Sequence, residues 1–129
     1  MSNDQHDEEG KYEEQSNEKQ LQMFVDACGT EGDGVMTMVD EVSNCLQLYE
    51  LSSISIKGAE YFRFTDGLVH IMTEAIIQCK LSVKTLNLRN HRITDVGAIQ
   101  LCQLILVSGV YIIFDLSYLS VKVYGCVLI

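Results

Sequence analysis

The sequence predicts an α/β fold: a short solenoid with parallel strands on its concave side, helices on its convex side, and an acidic N-terminal tail. Residues 83–105, VKTLNLRNHRITDVGAIQLCQLI, join an alternating apolar run to a helical apolar pattern through a polar turn. The apolar frame of that unit recurs on both sides of it, as expected of stacked repeats. The length of 129 residues, the 47% hydrophobic content and the absence of proline and tryptophan suit one domain with its own core.

Residues 1–20 come first, with seven acids and two lysines and Tyr12 as their one large apolar side chain. Such a segment is expected to stay disordered through about residue 18, as a solubilising tail. Residues 21–50 are read as a linker and an N-terminal capping helix. The GTEGDG run at 29–34 lacks both the carboxylate ladder of a calcium loop and the Gly-Lys-Ser/Thr ending of a phosphate loop. After it, Val35, Val39, Val42, Leu46 and Tyr49 recur at spacings of three and four. They predict an amphipathic helix up to about Glu50 that covers the end of the first repeat.

Residues 51–129 hold two to three repeats, the last incomplete. Leu51, Ile54 and Ile56 fit strand positions, and the 32-residue interval from Leu51 to Val83 implies an insertion around Glu60–Arg63 before Phe64, Thr65 and Asp66 resume the pattern. A shift of 28 places Val83 on Tyr111, Leu86 on Phe114, Leu88 on Leu116, Ile93 on Val121 and Gly97 on Gly125. The helices are expected to bury Leu68, Ile71, Ala75 and Cys79, then Val96, Ile99, Cys102 and Ile105 or Leu106. Thr94 or Asp95 is expected to cap the second of these helices, with Thr65 and Asp66 repeating the arrangement. Gly97 would let that helix approach the strand. Ile129 falls on Leu101, so a short or truncated form is expected, self-associating through its open C-terminal repeat.

Val83, Leu86, Leu88 and Ile93 occupy the apolar positions of the pattern L-x-x-L-x-L-x-x-N-x-L, followed by ITDVGA. The unit resembles the leucine-rich repeats of the ribonuclease-inhibitor type. It departs from them at His91, which stands where the family has asparagine and is read as a turn residue supplying similar hydrogen bonds. The resemblance implies a non-enzymatic scaffold that binds a protein partner through its concave strands. The implied contact residues are Lys84, Thr85, Asn87, Arg89 and Asn90, with Asp115, Ser117 and Tyr118 from the last repeat. Some members of that group activate small GTPases, which makes regulation of a small GTPase the alternative.

Other function classes find less support. Seven bases over residues 21–129 form no patch of the size that phosphate contacts require, and the local strip of Lys84, Arg89 and Arg92 suits an acidic protein surface better than nucleic acid. His70 and His91 have no partner in a nucleophile motif, and no metal or cofactor signature is present, so no catalytic residues are assigned. Five cysteines with no C-x-x-C pair are expected as free thiols, Cys79 and Cys102 on buried helix faces. Together with an acidic start that is no signal peptide, they point to a cytoplasmic or nuclear compartment. Residues 104–121 carry one charge and approach the length of a bilayer span, so a tail anchor is a further alternative. Asp115 near the middle of that stretch, at a cost of about 2.5–3.5 kcal/mol, argues against it.

Overall fold

A computed structural model describes residues 18–49 and 53–114. Helix α1 covers residues 18–28. It is followed by α2 (Val35–Tyr49), β1 (Ser53–Ser55), α3 (Asp66–Cys79), β2 (Thr85–Leu88), α4 (Asp95–Ser108) and β3 (Tyr111–Phe114). The strands form a parallel sheet in the order β1-β2-β3, so each neighbouring pair is joined by one crossover helix. The result is an α/β architecture in which α3 packs on α4 and α2 packs on β1. Acidic residues 1–17 and the C-terminal residues 115–129 lie outside the described residues.

Strand and turn chemistry set these bounds. Alternation puts Ile54, Leu86 and Ile112 on one face in register, all buried. Thr65 caps α3 by accepting from the Leu68 N–H at 3.3 Å, and α3 ends at Lys80, whose left-handed backbone (φ 51°) turns its N–H back to Ile76 O and Ile77 O. Gly109, at φ 69°, ends α4 in the same way. Helix α2 starts where the glycine-rich link ends and buries Val35, Val39, Val42 and Leu46 as the sequence predicts, together with Met38. Helix α1 falls where the sequence analysis placed linker; Phe24 and Cys28, four apart, are its buried anchors.

Two expectations are corrected. The strand register pairs Leu86 with Ile112 and Leu88 with Phe114, a shift of 26 from β2 to β3 in place of the expected 28. The helix caps Thr65 and Thr94 are 29 apart, while five residues join α3 to β2 and only two join α4 to β3, so the third strand starts three residues early. Because 26 and 28 are both even, the inward and outward faces survive the correction. The 32-residue shift from β1 to β2 holds, pairing Ile54 with Leu86. Its excess falls in a tight turn in which Ala59 and Phe62 exchange backbone hydrogen bonds at 2.9 and 3.1 Å.

The second correction concerns α4. Val96, Ile99 and Leu106 are exposed, and the core side is formed by Gly97, Ala98, Leu101, Cys102 and Leu104. An apolar residue occupies nearly every direction around this helix, so periodicity alone does not choose the face. Position is decided instead by Asp66. Its carboxylate accepts from the Thr94 N–H (2.9 Å), the Gly97 N–H (3.1 Å) and the Thr94 hydroxyl. Thr94 makes no side-chain cap bond of its own, so α4 is capped by the first residue of α3 and not by Thr94 as the sequence suggested. A Cβ at Gly97 would stand 2.5 Å from Asp66 Oδ1 and 2.8 Å from Ile93 Cγ2.

Alanine in a helix interior normally stabilises by up to about 1 kcal/mol relative to glycine. At Gly97 we expect the reverse: a loss of about 1–3 kcal/mol, because the Asp66 carboxylate can move only by breaking the bonds it makes. Denaturant melts of Gly97→Ala, Asp66→Ala and the double variant check this. The Gly97→Ala penalty should shrink in the Asp66→Ala background, and strict additivity would disprove the coupling.

Candidate functional site

Opposite the buried face, the sheet presents rows of side chains set by the register. Ser53, Thr85 and Tyr111 form one row, and Ser55, Asn87 and Ile113 the next. The Thr85 hydroxyl donates to Ser53 Oγ at 2.9 Å, linking the first two strands across this face. Tyr111 is 66% exposed, and Ser55 and Thr85 are exposed as well. The face therefore runs from small hydroxyl and amide groups on β1 and β2 to aromatic and aliphatic groups on β3. Hydroxyls and amides can donate and accept, and a tyrosine adds apolar area with a polar tip.

The sequence-predicted contact residues are distributed unevenly over this geometry. Thr85 and Asn87 lie on the open face, and Arg89 continues the alternation, exposed, at the C-terminal end of β2. Asn90 is exposed but structural: its backbone is left-handed (φ 64°) and its side-chain amide donates to Gly58 O at 2.8 Å. Lys84 lies at the opposite end of β2, lining a groove with Lys80, Leu81 and Val107. At about 3.3 Å per residue, Lys84 and Arg89 are separated by roughly 16 Å, so the basic strip expected from sequence is not brought together. Asp115, Ser117 and Tyr118 lie outside the described residues. Ser53, Ser55, Tyr111 and Ile113 were missed, although the alternation in SSIS and YIIF carries their signal once the register is known.

His91 is 1% exposed and has no access to a substrate. Its Nδ1 accepts from the Phe64 N–H at 2.8 Å, which leaves the ring proton on Nε2 to donate to Ile56 O at 2.6 Å. The ring also meets Phe64 edge to face, with centroids 5.0 Å apart. His91 thus bonds the backbone of the preceding turn, 27 and 35 residues upstream. Gly58 completes the junction, since a Cβ there would stand 1.8 Å from Asn90 O.

The cysteines behave as core residues. Cys79 and Cys102 are buried, as is Cys28, and Cys126 lies outside the described residues. Burial pushes the Cys28 thiol up to about 12, reinforced by the neighbouring Cys79, and burial followed by Asp26 raises Cys79. Among the described residues no three His, Cys, Asp or Glu side chains form a metal-binding group, and no helix is long and apolar enough to cross a membrane. Comparison of the chain with family models, curated proteins and solved structures finds no match.

Two outcomes follow from His91 and Cys28. His91→Phe keeps a ring but leaves the Phe64 N–H and the Ile56 carbonyl unpaired, so it should cost about 2–5 kcal/mol in a denaturant melt. His91→Asn can still donate and accept and should cost less; equal losses would show that volume and not hydrogen bonding matters there. Because the Cys28 pKa is raised on folding, its contribution to stability is complete below pH 9 and is lost as the pH rises from 9 towards about 12. Iodoacetamide at pH 8 should therefore label Cys45, which is partly exposed, before Cys28. Labelling of Cys28 first in the folded chain would contradict this.

Proposed function

We propose that this chain is a protein-interaction scaffold: a short leucine-rich repeat solenoid of the ribonuclease-inhibitor type that holds a protein partner against the open face of its parallel sheet. The observation that carries this reading is the in-register set Ser53, Thr85 and Tyr111 beside Ser55, Asn87 and Ile113 on the outward side of three parallel strands. A solenoid with helices on one side leaves the strand side free for a partner. The cross-unit bonds from Asp66 and His91 support the repeat reading, because each ties one strand-turn-helix unit to the next. An aromatic side chain amid hydroxyl and amide groups suits a partner that brings both apolar area and hydrogen bonds.

The test compares three folded variants in affinity capture with quantitative mass spectrometry. Tyr111→Ala and Thr85→Glu alter the open face, whereas His70→Glu alters an exposed position of α3. A partner retained by the parent chain and by His70→Glu, but captured about tenfold less by both sheet variants, fits this reading; tenfold corresponds to roughly 1.4 kcal/mol. Losses confined to His70→Glu would move the interaction to the helices and sink the proposal.

A further inference from the structure

A four-residue motif occurs twice in this chain, Arg63-Phe64-Thr65-Asp66 and Arg92-Ile93-Thr94-Asp95. Each copy ends in a helix cap and the first helical residue, so stacking of the two units brings the arginines to the same side of the molecule. Both line one cleft of about 430 Å³, whose walls include Tyr61, Phe62, Phe64 and Leu68. Neither arginine forms an ion pair among the described residues. Arg63 Nε is sealed from solvent with no hydrogen-bond partner among the described residues, so it is not itself open to a ligand. The side chain as a whole is partly exposed and lines the cleft, where the remainder of its guanidinium can donate. The cleft also offers the Thr65 hydroxyl, which accepts from the Leu68 N–H and keeps its own proton free to donate.

We infer that this cleft binds an oxyanion carried on an aromatic or apolar body, held by Arg63 and Arg92. Guanidinium groups match the planar and tetrahedral oxygen arrays of carboxylates and phosphates with paired N–H donors. Asp33 and Glu60 line the cleft as well and make its charged lining formally neutral. Recognition therefore rests on short-range donors and not on a long-range field, which disfavours bare anions and favours ligands that add contact with the rings. Asp66 does not compete for the arginines, because its carboxylate is engaged by the Thr94 and Gly97 N–H groups. Tyr61 is 74% exposed at the rim and offers its ring to the body of the ligand.

Arg63, Arg89 and Arg92 are the three arginines in the sequence, so their Nε–H resonances in a nitrogen-15 spectrum of the full chain are assignable by substitution. Phenyl phosphate, benzoate and inorganic phosphate are titrated separately to millimolar concentration. The expected result is a saturable shift of the Arg63 and Arg92 resonances with Arg89 unmoved, stronger for phenyl phosphate or benzoate than for inorganic phosphate. The tighter of the two aromatic probes identifies the oxyanion as a phosphate monoester or a carboxylate. Arg92→Gln, which changes an exposed side chain, should weaken the Arg63 response by about tenfold or more. Arg89→Gln should leave it intact. No saturable shift at Arg63, equal shifts at all three arginines, or a response that survives Arg92→Gln would overturn the site.

Discussion

The fold rests on side chains that satisfy the backbone of the neighbouring unit. Strands of three and four residues provide few ladder bonds, and the turns between strand and helix are drawn into the interior, where unpaired N–H and C=O groups are costly. Asp66 answers for the start of α4, His91 for the turn that follows β1, and Asn90 for Gly58 in that same turn. These bonds join residues 27 to 35 positions apart, so they form only when two units are already stacked. Gly58 and Gly97 follow from the same constraint, since each is the point at which one unit comes too near the other for a Cβ.

Much of the fold was legible because hydrophobic alternation and helix signals do not depend on distant contacts. Leu86 and Leu88, the start of α2 after a glycine-rich link and the Thr65 cap of α3 are local features that fall where the sequence places them, whereas the cap of α4 comes from the distant Asp66. The buried face of α4 was not legible, because Val96, Ile99, Leu106 and Val107 are as apolar as Leu101 and Leu104. The hydrogen bonds of Asp66 to Thr94 and Gly97, which link residues 28 and 31 apart, help to fix the rotation of that helix against α3. The register of β3 was missed for a related reason: link lengths between helix and strand are invisible until the helix ends are known, and α4, as long as α3, is joined to its strand by two residues where α3 uses five.

The candidate surfaces were legible in part. Thr85 and Asn87 were found from the alternation around Leu86 and Leu88, whereas Lys84 was misplaced because it precedes the strand and belongs to the helix-to-strand side. Arg63 was hidden by treating residues 60–63 as an insertion. The extra residues instead form the turn between Ala59 and Phe62, and that shift restores the equivalence of Arg63 with Arg92.

The two ends of the sheet differ in electrostatic logic. At the N-terminal ends of the strands, Lys80 and Lys84 stand beside the C-terminal ends of α3 and α4, where the helix dipoles are negative and cations are favoured. Those lysines are accounted for by the helices alone. At the other end, Arg63 and Arg92 stand just ahead of the N-termini of α3 and α4, where the dipole is positive and a cation gains nothing from it. Asp66 and Asp95 occupy the favourable first turns, and Asp66 is committed to backbone N–H groups. Two guanidinium groups in that position, one with a buried donor unused, are explained neither by helix stability nor by ion pairing. A bound anion there would engage guanidinium donors through short-range contacts, while the open face of the sheet is left to make contact by shape and hydrogen bonding.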